Sequence, residues 1–307
     1  MELGQHQPRL VGCHLSIGQG FPAAIDQAET LGNNALQIFT HNASQWRMKP
    51  ITDERAEAFI EHRSSSPVRF VVAHTMYLLN LASPDDALYE RSIEALAEEL
   101  VRAARLRLDA VVTHLGAHVG SGEEQGIARI AAGVSLATRA AAARDAGTPA
   151  LLLENTAGSG TTIGGRFETL ARILELSDTD QPLGICLDTA HAFAAGYDLA
   201  SPHAVSETLA DFDRTIGLSR LSLIHLNDSK YACGSHRDRH EHIGWGEIGR
   251  DGIGALLQHP SVEHVPVILE TPKEVDGRKD ADQMNLAMVR ALMAAGASES
   301  TLQEEAS

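Results

Sequence analysis

Six short apolar runs in this chain of 307 residues each end in a side chain able to bind a metal. His74 closes RFVVAH, His114 closes AVVTH, Glu154 follows ALLL, Asp188 closes LGICLD, His225 closes LSLIH and Glu270 closes VPVILE. Neutral imidazole and carboxylate together are the ligand chemistry of zinc, manganese and iron. One such residue alone reads as a hydrogen-bonded His or acid at the end of a strand; six at equivalent positions do not. Two clusters extend the set. In CLDTAHAF, His191 follows Asp188 by three residues, a short loop spacing that lets both reach one place. In DRHEH, Asp238 and His240 are two apart and share one side of an extended segment. His242 is in phase with them and reads as solvated. Five His and four acids exceed the needs of one ion. An open zinc site uses about three protein ligands, so this set implies about three ions, with Glu154 free to bridge two. Clustered divalent ions suit phosphate ester hydrolysis, where one acidifies a water and its neighbours bind the phosphoryl and leaving oxygens.

Elements must bring these residues together. Eight apolar runs begin at Leu10, Ala35, Arg69, Ala110, Ala150, Leu183, Leu221 and Val265. Each is short, aliphatic and without clean polar alternation, as expected of a parallel strand buried on both faces. The stretches between them, such as Asp85 to Arg107 and Glu123 to Asp145, carry Ala, Leu, Glu and Arg with helical spacing of the apolar positions. Eight βα units predict a single (β/α)8 TIM barrel, in which every strand ends at the same face. A doubly wound open sheet is the alternative. It is disfavoured because no segment resembles a linker and no G-x-G-x-x-G follows the first strand; GSGTTIGG from Gly158 has the wrong spacing. The domain is expected over residues 1–296, with the acidic tail 297–307 frayed.

Composition sets limits. With 43% hydrophobic and 21% charged residues, a packed core is expected rather than disorder. No long uncharged apolar run and no signal-like start appear, so a soluble cytoplasmic protein without membrane contact is expected. Cys13, Cys186 and Cys233 form no C-x-x-C pair and read as reduced thiols, Cys186 as packing. The net charge of −16 argues against holding nucleic acid by general electrostatics. Local charge differs: three divalent ions bring six positive charges to a pocket whose acidic ligands supply four negative ones.

The stretches HTMYLLNLA from His74, LENTAG from Leu153, CLDTAHAFAAGYD from Cys186, HLNDSK from His225 and DRHEHIG from Asp238 resemble endonuclease IV, the family 2 apurinic/apyrimidinic endonucleases. The resemblance runs from about Val11 to Glu270. It implies a TIM barrel, three zinc ions (one replaceable by another divalent metal), hydrolysis of the phosphodiester 5′ to abasic sites in double-stranded DNA, and trimming of blocked 3′ ends. It also implies that His74, His114 and Glu154 hold one ion. Glu154, Asp188, His225 and Glu270 hold a second, and His191, Asp238 and His240 a third. On the same resemblance Glu154 and Glu270 are expected to be the catalytic carboxylates. The resemblance further implies that Tyr77 and Leu78 lie on a loop that enters the DNA and helps to flip the abasic sugar. Ser44 stands where many relatives carry an Arg that enters the stack, leaving Gln45 and Arg47 as neighbours able to take that task. Leu115, where the family commonly has Pro, and Trp245, where it commonly has an acid, are expected to alter loop packing only.

Other residues read more simply. His14 is a satisfied barrel-mouth His, and His118 belongs to a loop because Gly116 and Gly120 flank it. Asp228 and Lys230 support the site or touch phosphate, and Arg237, Arg239 and Arg250 line either the DNA face or solvent. A sugar isomerase or epimerase with one or two ions is the rival reading, but it has no use for His191, Asp238 and His240. A non-catalytic damage-binding protein has no use for the complete ligand set and both candidate base carboxylates. The open mouth that a long duplex requires favours a monomer.

Overall fold

In the computed structural model, which describes residues 8–144, 147 and 149–304, eight parallel strands close into a barrel. The elements run β1 (Val11–Leu15), α1 (Phe21–Thr30), β2 (Ala35–Ile38), α2 (Asp53–Ser65), β3 (Phe70–His74), α3 (Asp86–Arg105), β4 (Ala110–Thr113), α4 (Glu123–Ala142) and β5 (Ala150–Glu154). They continue with α5 (Phe167–Leu176), β6 (Leu183–Asp188), α6 (Thr189–Ala195), α7 (Pro202–Thr215), β7 (Leu221–His225), β8 (Asp228–Ser229), β9 (His240–Glu241), α8 (Gly249–Gln258), β10 (Val267–Leu269) and α9 (Ala281–Glu304). The barrel order is β1-β10-β7-β6-β5-β4-β3-β2, and β8 pairs with β9 as a small antiparallel ribbon above it. All eight expected runs are the barrel strands. The helix expected to end at Asp145 ends at Ala142, and Asp145 lies outside the described residues. Helix α9 carries helical backbone past Ala297, where the sequence suggests that the domain ends; residues 305–307 are not described.

The strands follow a period of two that their composition conceals, because both faces are apolar. Leu36, Val71, Val111, Leu151, Leu153, Ile185, Ile224 and Leu269 pack outward against the helices. Ala35, Val72, Ala110, Val112, Leu152, Cys186, Leu223 and Ile268 form a separate cluster inside the barrel. Two residues beyond this inner row come Gln37, His74, His114, Glu154, Asp188, His225 and Glu270. Alternation therefore points these side chains inward, at the C-terminal mouth. The apolar row excludes water from beneath them.

Candidate metal centre

The nine expected ligands converge on the mouth. His74, His114 and Glu154 form one group whose donor atoms lie within 4.8 Å of one another. Glu154, Asp188, His225 and Glu270 form a second. A third joins Asp188, His191 and His240, with Asp238 Oδ2 3.2 Å from His191 Nε2 and Oδ1 3.9 Å from His240 Nε2. Glu154 is the junction. Its Oε2 is 3.1 Å from His74 Nε2 and 3.7 Å from His114 Nε2, while Oε1 is 3.3 Å from both His225 Nδ1 and His191 Nδ1. Asp188 is a second junction that the sequence did not disclose, since its Oδ2 also lies 3.4 Å from His240 Nε2.

The other ring nitrogen of each of four histidines is already committed, which fixes the lone pair that faces the centre. His74 Nδ1 donates to the Thr75 carbonyl at 2.7 Å, and His191 Nδ1 to the Asn155 carbonyl at 3.0 Å. His240 Nδ1 donates to the Glu270 carbonyl at 3.1 Å, and His225 Nε2 to Gln37 Oε1 at 2.8 Å. The buried Nε2 of His240 has no hydrogen-bond partner, although it points at carboxylate oxygens. A buried acceptor left in this way, among imidazoles and acids at ligand spacing, suits a divalent cation.

Electrostatics agree. Burial opposes charge on Glu154, yet His114 and His225, with a hydrogen bond from His225 and His191 Nδ1 3.3 Å away, hold its carboxyl well below the usual range. Glu270 behaves alike: burial opposes its ionisation, and His225 and the neighbouring His14, its Nδ1 3.7 Å from Oε1, overcome that. Burial works against an imidazolium at His191, but Asp188, Asp238 and Glu154 raise it well above 6.5. A cation that binds at a nitrogen carrying such a proton displaces it.

Several residues brace this array without being metal-type ligands. Gln37 donates to Glu270 Oε1 at 2.5 Å, accepts from His225 and lies 3.0 Å from His14 Nδ1. His14 is therefore the satisfied mouth histidine that was expected. Asn155 donates from Nδ2 to the Asp188 carbonyl, and its Oδ1 accepts from the Asp188 amide. Asn227 joins Asp188 Oδ2 to the Glu270 amide. Gln37 gave no signal in the sequence, being one amide in an apolar run; the two Asn residues follow ligands within one or two positions in LENTAG and HLNDSK, which is the signal that could have found them.

Two local expectations need correction. His191 is not on a loop. It lies in the first turn of α6, because Asp188 is the N-cap, accepting from the His191 amide at 2.7 Å, and Gly196 ends the helix in the left-handed region at φ 114. One carboxylate thus caps a helix and faces the centre. His242 is buried rather than solvated, with Asn285 Nδ2 3.1 Å from its Nδ1. Asp228, for which the sequence left support of the site or a phosphate contact open, accepts backbone N–H groups from Ser229, Gly244, Gly246, Ile248 and Gly249 and so shapes the loop carrying Trp245. His118 is on a loop, where its Nδ1 accepts from the Gly120 and Gly122 amides. Leu115 is buried. Cys186 sits inside the barrel, burial pushing its thiol up to about 12.

The residues expected at DNA ring the mouth. Tyr77 and Leu78 are 66% and 38% exposed, and Ser44, Gln45 and Arg47 are exposed on the loop after β2. That loop has no regular structure but is clasped by α3. Arg102 donates to Thr40 Oγ1, the Thr40 carbonyl and the Lys49 carbonyl, each at 2.7 Å, and Arg91 lies over the Trp46 ring at 4.3 Å. A cavity of about 370 Å³ opens between the loops, lined by Phe39, Tyr77, His191, Asp238 and Glu270 among others.

Fold and site define a (β/α)8 barrel with three adjoining groups of metal-type ligands at its C-terminal mouth. A family described as Xylose isomerase-like TIM barrel matches residues 25–292. A curated relative from Chloroflexus aggregans, named Probable endonuclease 4, is 45% identical over 92% of this chain and 97% of its own length. The crystal structure of endonuclease IV from Thermus thermophilus is 38% identical, with TM-score 0.81 over 94% of this chain and 99% of that one. The chain belongs to the endonuclease IV family. A D-tagatose 3-epimerase-like protein, 18% identical with TM-score 0.69 over 94% of this chain and 98% of its own, shares the fold alone. Among the described residues no helix is long and apolar enough to cross a membrane.

Proposed function

We propose that this protein is a DNA-repair endonuclease that hydrolyses the phosphodiester 5′ to abasic sites in duplex DNA, trims blocked 3′ ends, and works as a monomer with three zinc ions, one replaceable by another divalent metal. The observation that carries the reading is Glu154, fully buried, with one oxygen toward His74 and His114 and the other toward His225 and His191. His74, His114 and Glu154 would hold one ion; Glu154, Asp188, His225 and Glu270 a second; His191, Asp238 and His240 a third. When bound, such ions supply positive charge that acidifies a water and draws electron density from phosphoryl oxygens.

The chain's own residues do the rest. Glu154 keeps the ligand groups adjacent, and the apolar row beneath it keeps them dry. Glu270, whose side chain is 19% exposed, is the more open of these two carboxylates, and Gln37 aims it. It presents a carboxylate oxygen to water entering the cavity, where it would act as the proton acceptor. Tyr77 and Leu78 occupy the duplex at the lesion while the abasic sugar turns inward, a motion that costs least where no base is stacked. The isomerase reading leaves His191, His240 and Asp238 without a task.

Depurinated plasmid distinguishes the readings. Purified protein is expected to nick it, to lose that activity on chelation, to regain it with zinc, and to contain about three ions per chain by elemental analysis. No nicking by zinc-loaded protein, or one ion or fewer after loading, would reject the proposal.

A further inference from the structure

We propose that Val119 is a DNA wedge: its apolar side chain enters the base stack of the lesion-bearing duplex beside Tyr77 and Leu78. This deepens the endonuclease reading, on which it rests, by adding a contact from the loop after β4.

The backbone of Val119 has φ 46, a left-handed conformation that β-branched residues rarely adopt. A residue held there persists only where surrounding structure over-determines it. Asn80 does much of that, its Oδ1 accepting from the Ala117 amide and its Nδ2 donating to the Ala117 carbonyl, both at 3.0 Å. The His118 amide donates to the Thr161 carbonyl at 3.0 Å, and the Ser121 amide to the His118 carbonyl at 2.9 Å. Gly116 must be glycine for this approach: its φ is 97, and a Cβ would stand 2.1 Å from Asn80 Oδ1.

Core packing does not account for a valine here, because Val119 is 64% exposed. The flanking Gly120 leaves open space around its own Cβ position, so the loop stands in solvent. A turn needing only a left-handed residue is better served by Gly or Asn. Placement supplies a use. Of the six large apolar side chains exposed among the described residues, Leu136 and Leu176 lie on outer helices, whereas Tyr77, Leu78, Val119 and Trp245 lie on mouth loops. Asn80 follows Tyr77 and Leu78 in its own loop and also accepts from the Ala82 amide, so one side chain fixes both loops relative to each other. Rigid apolar side chains presented in this way are suited to part a base step, and valine loses little rotamer freedom on insertion.

The test compares Val119→Gly, Val119→Asn and Val119→Ile by fluorescence anisotropy at fixed salt. The probes are a duplex with one non-cleavable abasic analogue, the same strand unpaired, and an undamaged duplex. Gly and Asn relieve the backbone, so their Tm is expected to match or exceed that of the parent. Both are nevertheless expected to weaken binding to the abasic duplex by about fivefold or more, with less than about a twofold change on the single strand; Ile should stay within about twofold throughout. Unchanged abasic-duplex binding by Gly and Asn, or equal losses on duplex and single strand, would overturn the wedge while leaving the endonuclease reading intact. A parent protein that fails to prefer the abasic duplex over the undamaged one would overturn both.

Discussion

The strand-borne and loop-borne halves of the mouth are built by different physics. Glu154, Asp188 and His225 end strands, are wholly buried, and take their direction from the alternation that also lays Leu152, Cys186 and Leu223 beneath them. Asp238, 55% exposed in its side chain, stands on a loop, as do Ser44, Tyr77 and Val119, the shapes of whose loops depend on single hydrogen-bonding residues, Arg102 for the first and Asn80 for the other two. The difference teaches where tolerance lies. Changing a strand-borne ligand unbalances several buried charges together, whereas changing a loop residue alters one contact with solvent or substrate.

The comparison is sharpest at Glu154. Glu154→Ala is expected to abolish cleavage and lower metal content, since one loss disturbs both groups that share the carboxylate; near-normal turnover would remove its bridging role. Glu270→Gln should retain the fold and slow hydrolysis by roughly 10²-fold or more, because a ligand and proton acceptor is neutralised at constant shape. Unchanged kcat with only weaker DNA binding would reassign it. Asp238→Asn tests the loop-borne side of the centre. We expect about a 10- to 100-fold loss of affinity for one ion with the others retained, read by zinc titration; loss of all ions would show that the exposed ligand is as integral as the buried ones.

Smaller effects are expected at the rim and in the stripped protein. Ser44→Arg should tighten binding to an abasic duplex more than to an undamaged one, base stacking by a side chain being worth roughly 1–3 kcal/mol. Equal tightening on both would reduce the effect to added charge. In chelator-stripped protein, burial notwithstanding, His191 lies above its ordinary 6.5 and Glu154 below its ordinary 4.5. The histidine contribution is complete below 6.5 and is lost as pH rises through its raised value. The carboxylate contribution is complete above 4.5 and is lost as pH falls through its depressed value. Burial lowers His14 and His114 and opposes the histidine trend. A modestly higher Tm at pH 6 than at pH 9 is therefore expected of stripped protein, and a smaller difference after zinc loading; the reverse order would show that the lowered pair dominates.

Much of this site was readable before folding because its determinants are local. An apolar run of five residues followed by His or Glu needs only the period of two and closure of the barrel to aim that side chain at the mouth. The motif around Asp188 was also readable, although the spacing to His191 suggested a loop. The helical turn depends on an N-cap bond from the same carboxylate that serves the centre, and spacing alone does not distinguish the two geometries.

The amino-acid sequence by itself determined the eight strands, the mouth to which their ends belong and the metal-type side chains gathered there, since burial pattern and side-chain chemistry are properties of short segments. Only the tertiary structure decided that Gln37 orients both His225 and Glu270, residues 188 and 233 positions away. Tertiary structure also decided that Asp188 reaches a second ligand group, that Arg102 clasps the loop after β2, and that Val119 is held left-handed in open solvent. These depend on which lone pair, carbonyl or amide a distant segment presents. That is fixed only when the barrel closes and buried polar groups must find partners across it.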